Sequence, residues 1–384
     1  MTQTRLSPTR SGAAQGTGSS GAAAAAAPSA SGTAPPRERE NGLRARGAAC
    51  LVAVLACVPY ITLKIIWICG GELGIPADSS LLEPGNAALM RAVNGLTVLM
   101  DAVVIALALL LARPWGRRAP AWLPVLPAWL ATGLLAPIMV GLPVTLLVGG
   151  GGEKSAEERE FLAEWVFGVV YGGFAVQGLA LGALFVWYAR DRWGHLWRGR
   201  TGDLPYGATG AARRAAAVGA LLLAVLPLVM NVLWAAGSTA GLDEDMAADA
   251  DAGLYARSAV NALFLLAGVG GLLVLAFHRR RGPGTGVRLA VPFGLAWTGS
   301  GAVACWGAWM MFGALTVEEV SEQPTPLMSL TYAVQMTVGV VIVTAGAHFL
   351  AERAAATADV AATADVAATA DVAATADVTA RRTG

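Results

Sequence analysis

The chain has 384 residues, 55% of them hydrophobic and 14% charged, with a formal net charge of +1. The apolar residues fall in blocks of about twenty, long enough to cross roughly 30 Å of hydrocarbon, which excludes an ordinary soluble globule. Balanced charge without a basic, aromatic-interleaved run excludes a nucleic-acid platform, and Cys50, Cys57, Cys69 and Cys305 form no CxxC for thiol redox chemistry.

Residues 1–46 are rich in Ser, Gly, Ala, Thr and Pro and carry no apolar period, so they are expected to form a disordered tail. A cleavable targeting peptide is disfavoured there, because its charged region would lie nearer the start. Eight spans are expected at about 48–69, 89–112, 121–148, 165–189, 215–237, 256–277, 289–315 and 327–350. They give an all-α, polytopic fold of two four-helix halves, 47–189 and 215–350, joined by a basic loop at 190–214. Arginines flank one set of span ends (Arg44, Arg46, Arg113, Arg117, Arg118, Arg190, Arg192, Arg198, Arg200, Arg213, Arg214, Arg279, Arg280, Arg281 and Arg288). Acidic residues dominate the other set, as at Glu153 to Glu160 and Asp243 to Asp251. The positive-inside rule then places both termini in the cytoplasm.

Ser155 and Glu158 form a capping box that would open the fourth helix after the Gly149 to Gly152 linker. Trp67, Trp115, Trp122, Trp165, Trp193, Trp197 and Trp234 sit mostly at span ends and read as an interfacial belt. The tail at 351–384 repeats AATADV, and a period of six spreads Asp359, Asp365, Asp371 and Asp377 round a helical cylinder. It therefore specifies no coiled coil and reads as low complexity, with partner docking as the minor alternative.

The pattern Lys64-x-x-Trp67-x-x-Gly70-x-x-x-Gly74 returns 167 positions on as Asn231-x-x-Trp234-x-x-Gly237-x-x-x-Gly241. Asn94 matches Asn261 at the same offset. Trp129 and Gly133 match Trp297 and Gly301 at 168, and Gln177 matches Gln335 at 158. Chance similarity between apolar helices is the competing explanation. Scarce Trp, Asn and Gln matching in the same order along four successive helices favours a tandem duplication. Units with an even number of spans enter the membrane from one side, so the halves would be related by an axis along the membrane normal. Asn94, Asn261, Gln177 and Gln335 are then expected to converge where the halves meet.

Two charges fall within spans. On a helix advancing 100° per residue from Arg91, Asn94, Thr97 and Asp101 lie at about 300°, 240° and 280°, one polar stripe reaching mid-membrane. A charge at that depth costs roughly 2.5–3.5 kcal/mol on insertion scales, so Asp101 must face protein or water. It reads either as part of a solute or ion path or as a structural, hydrogen-bonded acid. Lys64 lies nearer the outer end of its span, where it either snorkels to the headgroups or leans inward toward the same path. His195, His278 and His348 form no ligand pattern, and no GxSxG, Walker loop or calcium loop occurs. No metal or cofactor is therefore expected.

The stretch PYxxxKxxWxxGG from Pro59 to Gly71, with the eight spans and the Ala- and Arg-rich composition, is similar to uncharacterised multi-pass membrane proteins of high-GC Gram-positive bacteria. The resemblance covers about residues 47 to 350 and implies a bacterial plasma-membrane location but no activity. The residues favour a permease-like protein with Asp101, Lys64, Asn94, Thr97, Asn261, Gln177 and Gln335 along its route. The alternative is a structural or assembly protein, and a membrane enzyme fits least. The expected partners are the lipid bilayer, a small solute or ion and, as an open alternative, a second copy of the chain, with no nucleic acid.

Overall fold

The structure is a computed structural model, and it describes residues 36–77, 79, 87–148, 162–204, 210–278, 282, 284–316 and 324–383. By contacts, residues 1–42 and 43–384 are separate units. The described residues fold as α1 (Pro36–Ile68), α2 (Ala87–Ala112), α3 (Trp122–Val148), α4 (Glu164–Trp193), α5 (Gly210–Ala235), the short α6 (Glu244–Ala248), α7 (Ala252–Ala276), α8 (Ala290–Thr316) and α9 (Pro326–Thr383). Short 3-10 turns and an isolated bridge between Arg200 and Arg288 complete the secondary structure among them.

Seven of these helices are long and apolar enough to cross a membrane: α1 to α5, α7 and α9. The exception, α8, is uncharged but diluted by Gly and Trp, and its surroundings give the reason. α8 packs against α3, α7 and α9. Its Gly299 lies against Gly268 of α7, its Gly301 against Gly133 of α3, and its Gly307 against the Tyr332 carbonyl of α9. Lipid offers no hydrophobic drive between helices, so close backbone approach through small residues is what holds such a hub.

Among the described residues the chain ends are helical. α1 begins at Pro36, so 36–46 is helical; Pro at a first helical position is pre-organised, and the Arg and Glu that follow are good helix formers. α9 continues through the AATADV repeats to Thr383. A missing apolar stripe excludes a coiled coil but not a helix, and the Ala content suffices for helix propensity while Val360 and Val366 stay 70% and 69% exposed. The capping box at Ser155 lies outside the described residues, and the described part of α4 opens after Ala163. Between α5 and α7, the acidic loop's Asp243 and Asp251 cap helices, accepting from the backbone N–H of Met246 and Leu254.

The two matched Lys/Asn-Trp-Gly-Gly stretches adopt one geometry. Gly70 and Gly74 have φ of 87° and 76°, and Gly237 and Gly241 have 85° and 77°. Such left-handed backbone favours glycine, which explains the spacing. In each turn the buried indole N–H reaches back to a carbonyl six residues on, Trp67 to Leu73 at 2.8 Å and Trp234 to Ala240 at 3.0 Å. The last glycine carbonyl then accepts from the start of a later helix, Gly74 from the Ala163 N–H at 2.8 Å and Gly241 from the Thr325 hydroxyl at 2.6 Å. Trp67 and Trp234 are 6% and 4% exposed, so these two tryptophans staple turns and do not join the interfacial belt. Trp67→Phe and Trp234→Phe should each lower stability by about 1 kcal/mol, the net value of one hydrogen bond, and the double variant should lose the sum. Thermal unfolding in detergent checks this, and a loss at only one position would contradict the equivalence.

At the basic end, the loops after α4 and α7 zip together. Thr201 N–H donates to Val287 O at 2.9 Å, Gly202 N–H to Thr285 O at 3.1 Å and Leu289 N–H to Gly199 O at 3.1 Å. The Asp203 carboxylate accepts from the backbone N–H of Gly284 at 2.6 Å and of Arg200 at 2.7 Å. These bonds, led by the one from Gly284, hold the Asp203 carboxyl below its ordinary range. The carboxylate's contribution is therefore full above the unfolded value of about 3.9 and is lost as pH falls through the lower folded value. The protection of the Gly284 amide from hydrogen exchange, relative to the intrinsic rate at each pH, should fall on acidification below that range and be low throughout in Asp203→Asn. Opening of the clasp on alkalinisation would contradict the assignment.

Candidate functional site

The α2 stripe is buried as its spacing requires. Asn94 and Asp101 are each 4% exposed, and Thr97 between them turns its hydroxyl back to the Asn94 carbonyl at 2.9 Å. α1 supplies the facing residues. Lys64 Nζ donates to Asn94 Oδ1 at 2.8 Å and lies 4.6 Å from the ring centroid of Trp67 and 5.0 Å from that of Tyr60. Lys64 therefore does not snorkel outward. Two aromatic faces and an amide oxygen give its ammonium a better-matched environment inside the bundle.

Deeper along α2, Asp101 Oδ1 accepts from Gln177 Nε2 of α4 at 3.1 Å. The same nitrogen is 3.0 Å from Cys57 Sγ of α1, and the Cys57 thiol donates to Ala53 O at 3.2 Å. Asp101 Oδ2 is buried with no hydrogen-bond partner. Lys64 and Asp101 make no direct ion pair. Seven residues of α2 separate Asn94 from Asp101, a rise of about 10 Å.

The corresponding place between α5, α7 and α9 is closed. Asn231, 2% exposed, donates to Pro227 O at 2.8 Å and lies 3.5 Å from Gln335 Oε1. Gly268, 167 positions after Asp101, has its α-carbon pressed against Gly299. Asn261 on α7 is half-buried.

The polar residues thus come together as two groups. Lys64, Asn94, Thr97, Asp101 and Gln177 meet within α1, α2 and α4, and Gln335 meets Asn231 between α9 and α5. The expectation that Asn94, Asn261, Gln177 and Gln335 converge between the halves is corrected. The α3–α8 contact is made by other residues, because only small and aromatic side chains permit so close an approach. Trp129 Nε1 donates to Ser300 Oγ at 3.0 Å, and Trp297 Nε1 reaches Thr132 Oγ1 at 3.4 Å. Phe185 of α4 stacks on Trp297 at 5.0 Å, and Val343 of α9 packs against the cluster of Trp129, Ala304 and Cys305. Sequence reasoning missed Cys57 and Tyr60 in the Asp101 and Lys64 environments, although Cys57, Tyr60 and Lys64 follow helical spacing along one face of α1.

Among the described residues no group of three or more His, Cys, Asp and Glu could hold a metal ion. Comparison with protein-family models, with curated proteins and with solved structures finds no match.

Proposed function

We propose that the chain is an eight-span membrane protein of two four-helix units in parallel repeat, and that it moves a small solute or ion past Lys64 of α1 and the stripe of α2 that ends at Asp101. The observation that carries this reading is Asp101, a mid-helix carboxyl group buried in a membrane-type bundle with one oxygen unpartnered. Intramembrane ionisable groups are costly, and a working role accounts for one that no ion pair compensates.

The duplication draws support from reciprocal contacts. Trp129 bonds Ser300 while Trp297 bonds Thr132, so each residue's match at offset 168 makes its partner's contact, the pattern expected across a two-fold axis. That axis would pass near Gly133 and Gly301. α8 is the proposed eighth crossing, its 27 residues spanning about 40 Å. With the basic end inside, both termini would face the cytoplasm, and the resemblance in composition and motif supports a bacterial plasma membrane as its location.

A second reading, a structural or assembly protein, is favoured by the sealed Asn231–Gln335 pair, since interhelical amides contribute about 0.6 kcal/mol without any ligand. Reconstitution into vesicles separates the two. Uptake from a panel of small solutes and ions, above that of protein-free vesicles, is the permease result. No uptake by folded, monodisperse protein would leave the assembly reading.

A further inference from the structure

We propose that Asp101 binds and releases a proton and not a metal cation, and that it is the single such site in the two units. This deepens the permease-like reading and rests on it.

The orientation of Gln177 carries the choice. Its Nε2 faces Asp101 Oδ1 and Cys57 Sγ. The Cys57 hydrogen is directed to Ala53 O, so the sulfur acts toward Gln177 as an acceptor. Two acceptors on one amide end fix the NH2 group there and turn the amide oxygen away from Asp101. A hard cation gathers several oxygen ligands, and Asp101 is met instead by an amide donor. The titratable and charged groups facing it are few. α1 presents the Cys57 thiol, the Tyr60 phenol and the Lys64 ammonium; α4 presents Gln177 and, beyond Tyr60, Tyr171; α3 has no ionisable side chain.

A proton needs only one oxygen, and Oδ2 is that oxygen. Uptake forms an O–H bond at Oδ2, the proton leaves hydronium as water, and no electrons change hands. Neutralisation also removes a buried charge that no direct ion pair compensates. The second unit lacks the device, since Gly268 stands at the position matching Asp101 and Asn231 at that matching Lys64.

Infrared difference spectroscopy of the full chain in lipid vesicles tests this, comparing acidic with alkaline buffer, with and without sodium or potassium. The expected result is a protonated-carboxyl carbonyl band, above the amide I frequency, that grows on acidification and shifts down in heavy water. It is insensitive to either cation, is lost in Asp101→Asn, and moves to higher frequency in Gln177→Leu because a hydrogen bond to the group is gone. Should Asp101→Asn fail to fold, the wild-type titration and Gln177→Leu still decide. Absence of a titrating band in the wild type, its survival in Asp101→Asn, or its replacement by a sodium- or potassium-dependent change would overturn the proposal. A titrating band with no flux in vesicles upholds the proton site and removes the permease reading, so the two failures are distinguishable.

Discussion

Gly133→Val should abolish most of the folded, monodisperse protein recovered in detergent, whereas Gly172→Val should be tolerated. A side chain at Gly133 would enter the backbone carbonyl of Gly301 and the Cys305 sulfur, while at Gly172 it meets nothing within 4 Å. Overpacking a tight contact typically costs about 1–3 kcal/mol, and the upper end applies here because the obstructing atoms are backbone that cannot change rotamer. α3 and α8 would have to separate, breaking the Trp129–Ser300 and Trp297–Thr132 bonds as well. Size-exclusion and thermal-unfolding profiles read the outcome. Equal stability of the two variants would mean that α3 and α8 do not form the joint described here.

The helical class was legible because a charge-poor chain with twenty-residue apolar blocks has few other ways to satisfy its backbone in lipid. α8 was legible as a helix for the same reason, yet its role as hub was not. Gly299, Gly301 and Gly307 look like dilution of an apolar run until the helices pressed against them are known. The stripe of Asn94, Thr97 and Asp101 could be read from spacing, since helical period fixes which residues share a face. Period does not fix which helix that face meets. Asn94, Gln177 and Gln335 were therefore assigned to the joint between halves, when they pair inside α1, α2 and α4 or inside α5 and α9. Trp67 and Trp234 show the same limit. A tryptophan near a span end usually marks the interface, and only the positive φ of the following glycines reveals that the indole closes a turn. The composition of 36–46 and 351–383 pointed away from tertiary burial, which held for the exposed valines, but local propensity is enough to make both stretches helical.

The second large effect concerns Asp101. Asp101→Asn keeps the side chain's shape and its bond from Gln177 within reach, but removes the group that can change charge. If the buried carboxyl carries transport, flux should fall at least about tenfold, a rise of roughly 1.4 kcal/mol in the barrier. Stability should change little or rise, since a buried group without a charge partner is costly to hold. Gln335→Leu, which opens only the sealed Asn231 pair, should leave flux near wild type.

The most direct measurement is dye-reported proton flux, with and without the solutes that pass the uptake screen, in vesicles carrying wild type, Asp101→Asn or Gln335→Leu at equal protein density. The account predicts flux with wild type and Gln335→Leu and its loss with Asp101→Asn. Equal flux in all three, or none above empty vesicles from folded wild-type protein, would contradict it.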